Sequence, residues 1–157
     1  MTRDYDQVEM GDELVPAEKE VTDQMVLDFC AVWGSGGGTA RFTDHEAARK
    51  EGLPQAIVPG IMSMNYMAQF LAGWADGGLV KKLDVVFRQP VVHPQTISLV
   101  GVVTDKNQVG GENQVECDVY IQNAHGDRLV GGKATVVLSS KESPAKQPGR
   151  RGTTNRK

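Results

Sequence analysis

One segment of the sequence contains a histidine directly after an aspartate, two residue types that can act as acid and base. Residues 40–62 read ARFTDHEAARKEGLPQAIVPGIM, with Asp44 followed directly by His45. Aspartate and histidine side chains commonly move protons to and from a water molecule near neutral pH. Consecutive residues on a helix do not face one another, and Asp44 suits the positive end of a helix. His45 therefore remains a fallback candidate for an acid or base.

The other two histidines have weaker claims to chemistry. His93, in PVVHPQ, is expected at a strand end or turn, where a binding role competes with a structural one. His125, in a predicted hairpin turn, is expected in solvent. Two arginines, Arg41 and Arg88, have the charge to bind a phosphate or a carboxylate, with a surface or interface salt bridge as the alternative.

Length and composition indicate one globular domain over residues 1–140. The chain has 157 residues and a net charge of −3, which does not favour nucleic acid as a partner. The N-terminus lacks the apolar core of a signal peptide, and no apolar run could span a membrane. Cys30 and Cys117 have no metal-type spacing and suit reduced core positions. We expect a cytoplasmic protein with no metal and no membrane partner.

Residues 141–157 differ from this domain in charge. They contain six basic residues and only one acidic residue, together with several prolines and glycines. This composition predicts a disordered basic tail, with an electrostatic arm for an acidic partner as the alternative.

Two amphipathic segments surround the candidate residues. A strand within 12–22 leads to the helix caps Thr22 and Asp23. The helix that follows, up to residue 34, is predicted to bury one apolar face, which comprises Met25, Phe29, Val32 and Trp33. Residues 43–52 read as a short helix with a capping box between Thr43 and Glu46.

Residues 59–78, PGIMSMNYMAQFLAGWADGG, predict a long helix that starts after Pro59 and is apolar on most of its surface. Such a helix is usually buried. Its methionines suit core filling or the lining of an adaptable binding surface. Strands are predicted within 80–92, 96–105, 113–123 and 128–140, as an antiparallel meander. One buried helix against such a sheet is an α+β fold.

The stretch FTDHEAARKEGLPQAIVPGIM, the long helix and LDVVFRQPVVHPQTISLVGVVT together resemble the MaoC-like branch of the hotdog fold, over roughly residues 5–140. This branch includes R-specific enoyl-CoA hydratases and 3-hydroxyacyl-thioester dehydratases. The resemblance implies an antiparallel sheet wrapped around one long buried helix. It also implies an acyl-thioester ligand, on coenzyme A or a carrier protein, and no other cofactor.

The family signature is Asp-x-Asn-Pro-x-His, followed by a short helix and a helix start like I-V-H-G-M. Aligned on AARKEG, its aspartate falls on Gly36, its first histidine on Arg41 and its second on Pro59. Glycine has no side chain and arginine cannot accept a proton. Gly60 remains at the position whose backbone N–H stabilises the thioester oxygen. The resemblance also implies substrate contacts at Arg41, Gly60, Ile61, Met64 and Asn65.

Three functions fit this resemblance. The first is a non-catalytic subunit that shapes the acyl tunnel of a heteromeric hydratase or dehydratase, in a heterodimer with a catalytic MaoC-like sister. The second is an active hydratase, dehydratase or thioesterase with shifted catalytic residues. The third is a homo-oligomeric acyl-CoA binder. The first predicts an apolar surface that is exposed unless the sister is bound.

Overall fold

The computed structural model of the protein describes residues 3–33 and 40–140. A short 3-10 helix, Tyr5–Gln7, precedes nine longer elements. In chain order these are β1 (Glu13–Val21), α1 (Asp23–Trp33), α2 (Ala40–Thr43), α3 (His45–Lys50), α4 (Gly60–Ala75), β2 (Leu79–Phe87), β3 (Gln95–Val109), β4 (Glu112–Gln122) and β5 (Arg128–Leu138). The predicted tail, 141–157, lies outside the described residues.

The five strands form one antiparallel sheet in the order β1-β3-β4-β5-β2. Alternation of apolar and polar residues gives the sheet one buried face, as β4 shows with Val115, Cys117, Val119 and Ile121 all buried. The α4 helix packs on this face, with Met67 and Leu71 completely buried. This arrangement confirms the predicted α+β hotdog fold.

The predicted meander holds only for β3, β4 and β5. A tight turn joins β3 to β4 through Gly110 and Gly111, which both have positive φ angles that glycine adopts without strain. The β2 strand does not pair with β3, the next strand in the chain. It pairs with β5 and forms one edge of the sheet. Residues 88–94 therefore carry the chain across from one edge of the sheet toward the other.

The predicted buried face of α1 is wrong. Its buried residues are Val26 and Cys30, one turn apart, whereas Met25, Val32 and Trp33 are exposed. The helix lies at the rim of the core and buries only a narrow stripe. Phe29, on the side of Trp33, packs against the core, and its ring centroid lies 5.8 Å from that of Trp33.

One predicted helix cap is confirmed and another is wrong. Thr22 caps α1 as predicted, since its Oγ1 accepts from the N–H of Met25 at 3.1 Å. The capping box between Thr43 and Glu46 is wrong, because Thr43 ends α2. The cap of α3 is Asp44, whose carboxylate accepts from the N–H groups of Glu46 and Ala47 at 2.9 and 3.2 Å.

Both cysteines are buried free thiols. Burial raises the pKa of each, and that of Cys117 reaches about 12. Neither thiol is therefore activated as a nucleophile.

In the described part of the chain, no helix has the length and apolarity that crossing a bilayer requires.

Candidate functional site

The α4 helix begins without a side-chain cap. Its N-cap is Pro59, whose carbonyl accepts from the N–H groups of Met62 and Ser63 at 3.0 and 3.2 Å. The first N–H groups of a helix have no acceptor within it. Those of Gly60 and Ile61 bond to no described residue. The helix start thus offers free donors at the positive end of its dipole.

A cavity of about 300 Å³, here called the α4 pocket, opens at this helix start. Its lining comes from Phe42, residues 57 and 58, Gly60, Ser63 and residues 87–91. Backbone bonds hold these segments together: Ile57 N–H donates to the carbonyl of Arg41 at 3.0 Å, and Val58 N–H donates to that of Val91 at 2.7 Å. A cavity of this volume fits a small ligand.

Gly60 brings the helix start and the pocket wall together. A Cβ atom at this position would lie 3.0 Å from Cζ of Phe87 and within 3.4 Å of two further ring atoms. The absence of a side chain at Gly60 therefore lets the aromatic ring sit against the first turn of α4.

The described lining of the α4 pocket contains no carboxylate, imidazole or thiol. Its polar side chains are those of Ser63, Arg88 and Gln89. These groups can donate hydrogen bonds, but none is a proton acceptor of the strength that adding water to a double bond needs. The described part of the pocket can therefore bind a polar group without transferring a proton.

The predicted site residues separate in space. Gly60 lines the α4 pocket, whereas Ile61, Met64 and Asn65 line a different groove of about 420 Å³ between α4 and β2. Pro59 supplies the backbone cap of α4. Arg41 pairs with Glu51, with Nε 3.2 Å from Oε2, on the surface. The salt-bridge alternative for Arg41 is thus what the structure contains, and Gly36 lies outside the described residues.

A second polar cluster joins Asp23, His45 and His93. Nδ1 of His93 lies 2.7 Å from Oδ1 of Asp23, and Nε2 of His45 lies 3.1 Å from Oδ2. The remaining ring nitrogens are also occupied: Nε2 of His93 lies 2.7 Å from the carbonyl oxygen of Phe42, and Nδ1 of His45 accepts from the N–H of Ala56 at 3.1 Å. All four imidazole nitrogens therefore have protein partners.

These contacts fix where the protons sit. Because Nδ1 of His45 accepts a backbone N–H, Nε2 carries the proton and donates to Asp23. Nε2 of His93 faces a carbonyl oxygen and must also donate. The hydrogen bonds from His45 and, next in size, from His93 lower the pKa of Asp23, so the carboxylate is ionised.

The three side chains resemble a metal site in composition, since their ligand atoms lie within 4.8 Å of one another. The hydrogen bonds argue against that use. A metal would need a lone pair on Nε2 of His45, and the proton would then have to move to Nδ1, where the N–H of Ala56 already points. The cluster instead fastens α1, α3 and the segment after β2.

Two features were missed by the sequence reasoning. The pairing of Asp23 with His93 spans 70 positions, and no local spacing signals it. Ser63 in the α4 pocket was not singled out, although it follows Gly60 by three residues on a predicted helix. That interval places the two on one side of the helix, which is a signal that could have found it.

Comparison with known proteins agrees with this architecture. The MaoC like domain model matches residues 42–124. No curated protein sequence shows significant similarity to the chain. R-Hydratase PhaJ1 from Pseudomonas aeruginosa has a similar structure, with a TM-score of 0.76, 19% identity, and coverage of 93% of this chain and 94% of that one.

Two similar structures are complexes from Mycobacterium tuberculosis. A chain of the ChsH1-ChsH2 complex superposes with a TM-score of 0.72 and 16% identity, covering 85% of this chain and all of that one. A chain of C-terminally truncated HadBC, a 3R-hydroxyacyl-ACP dehydratase, gives 0.64 and 16%, covering 82% and 96%. Because the MaoC like domain model matches more than half of its residues, the chain belongs to the MaoC-like domain family of hydratases and dehydratases.

Proposed function

We propose that this protein is a non-catalytic acyl-thioester-binding subunit of a heteromeric MaoC-like hydratase or dehydratase. The observation that carries the proposal is the α4 pocket. The free backbone N–H of Gly60 lies there at a helix start, and the described lining has no group to act as the base. A thioester carbonyl is an acceptor that such donors suit.

The engagement of His45 supports the same proposal. His45 is the residue on which an active enzyme with shifted chemistry would depend. Its two ring nitrogens already contact Asp23 and the backbone of Ala56, so neither is available to a water molecule. Two other carboxylates of a type that could activate a water molecule are also engaged, since Asp44 caps α3 and Asp84 pairs with Lys82 on the exposed strand β2.

The partner we propose is a second MaoC-like chain that extends the sheet at β2. This strand is an edge of the sheet, and Leu79, Val86 and Phe87 on it are 63%, 60% and 50% exposed. Ile61 on α4, beside the groove between α4 and β2, is also half exposed. An unpaired edge strand with apolar side chains favours pairing with another chain.

The occurrence of similar chains in the ChsH1-ChsH2 and HadBC complexes agrees with such a partner. In the assembly, the catalytic acid and base would come from the sister chain. This protein would supply the binding surface and complete the fold of the dimer.

The binding part of the proposal can be tested by calorimetric titration of the full chain with crotonyl-CoA. We expect saturable binding that a saturated thioester, butyryl-CoA, competes for. Free coenzyme A is the control, because it has the nucleotide but no acyl group. Equal affinity for coenzyme A and crotonyl-CoA would contradict an acyl-thioester site.

A further inference from the structure

Ser63 is a buried polar residue whose hydroxyl is not used by the fold. It is 1% exposed, and with Asp4 and His93 it makes up the buried polar residues of the described chain. Asp4 accepts from the N–H of Asp6, and His93 is bonded through both ring nitrogens. The hydroxyl of Ser63, by contrast, has no hydrogen bond with any described residue.

This hydroxyl opens onto the α4 pocket. In the described part of the chain, no fully enclosed side-chain nitrogen or oxygen atom lacks a partner. The unpaired oxygen of Ser63 therefore keeps a small exposed surface, and Ser63 is among the residues that line the pocket. A buried hydroxyl without a partner costs free energy unless a ligand or water satisfies it.

Its position on α4 directs it toward the helix start. Ser63 follows Gly60 by three residues, so the two lie on one side of the helix, and side chains on a helix lean toward its N-terminus. The backbone N–H of Ser63 already donates to Pro59, which leaves the hydroxyl as its free donor. The free N–H of Gly60, which also lines the pocket, lies about one turn earlier.

We infer that Ser63 is a positioning residue that donates a hydrogen bond to the carbonyl oxygen of a bound acyl thioester. This inference rests on the proposed function and adds a side-chain donor to the backbone donors at the start of α4. The ligand class is therefore an acyl thioester, because its carbonyl oxygen accepts hydrogen bonds from both kinds of donor. A thioether sulfur, by contrast, is a poor acceptor.

The test compares two ligands that differ only in this carbonyl. The full chain is titrated with butyryl-CoA and with S-butyl-CoA, the thioether analogue. Wild type is expected to prefer the thioester. Ser63→Ala is expected to lose about 3- to 10-fold in affinity for butyryl-CoA, as the loss of one hydrogen bond predicts, and nothing for S-butyl-CoA.

Two further variants sharpen the result. Ser98→Ala, on β3 and outside the pocket lining, should bind both ligands as wild type does. Ser63→Cys keeps the side chain's shape with a small gain in volume but offers a weaker donor, so it should show the same selective loss. It also keeps the test decisive if the alanine variant folds poorly.

The outcomes separate the inference from the proposed function. Equal losses for both ligands would show that Ser63 acts by packing, and unchanged affinity for both would show that it does not contact the carbonyl. Either result overturns the inference alone. If wild type binds neither ligand, the proposed function fails and the inference fails with it.

Discussion

The Nδ1 atom of His93 lies 2.7 Å from a carboxylate oxygen of Asp23, a residue 70 positions earlier in the chain. The contact ties the start of α1 to the crossing segment between β2 and β3. Because Thr22 caps α1, the carboxylate of Asp23 is free to bond both His93 and His45. His45 and His93, whose side chains could act in catalysis, thus stabilise the fold instead.

Removal of His93 should destabilise the protein. His93→Ala leaves the Phe42 carbonyl without its donor and Asp23 without one of its two histidines. We expect a loss of about 2–3 kcal/mol in the free energy of unfolding, measured by urea denaturation. His125→Ala, in an exposed turn, is the matched control and should change it by less than about 0.5 kcal/mol. Equal effects of the two variants would argue against a structural cluster.

The charge on Asp23 should make stability depend on pH. Its pKa is lowered in the folded protein, so its pairing stabilises the fold above the ordinary value of 3.8, and this contribution is lost as the pH falls through the lower folded value. Asp23→Asn keeps the shape of the side chain but removes its charge.

We therefore expect wild type to exceed Asp23→Asn in unfolding free energy at neutral pH, with the difference shrinking below pH 3.8. Urea denaturation of both proteins across this range measures it. A difference that stays constant with pH would mean that the carboxylate's charge adds nothing to the pairing.

Gly60 should control ligand affinity through the space it leaves. In Gly60→Ala, the new Cβ meets the ring of Phe87 at 3.0 Å and forces that ring to shift. We expect affinity for butyryl-CoA to fall about tenfold with the fold retained. Gly73→Ala on the same helix meets nothing within 4 Å and should raise the unfolding free energy by about 0.5–1 kcal/mol without changing affinity. Unaltered binding by Gly60→Ala would place the ligand elsewhere.

The β2 edge should determine the oligomeric state. Val86→Lys puts a charge on the exposed apolar surface of β2 and should convert an oligomer to monomer in light-scattering chromatography. Val109→Lys changes a similarly exposed valine at the end of β3 and should have no effect. If both variants remain associated, another surface forms the interface.

Much of the fold follows from local patterns in the sequence. The alternation in 113–123 predicted β4, and the apolar run in 59–78 predicted α4. Each pattern depends only on how a single element packs against the core. The side of α1 that is buried, through Val26 and Cys30, could not be read this way, since it depends on where the helix sits at the rim.

The candidate site was predictable in part. The family motif identified Gly60. Its close approach to Phe87 explains why the smallest residue stands at this position. The contact of Asp23 with His93 depends on how the chain crosses the sheet after β2, which no local spacing encodes. Gly60 and Met64 lie four residues apart and so on one side of α4, yet they line different cavities, because tertiary packing sets different neighbouring segments against them.

The most direct test follows the conjugated thioester absorbance of crotonyl-CoA after it is mixed with the purified chain alone, at a concentration that saturates binding. We predict no enzyme-dependent loss of absorbance while the ligand is bound. Turnover that scales with protein concentration and disappears in His45→Gln would contradict the account. It would show that this histidine leaves Asp23 and Ala56 to act as an acid or base.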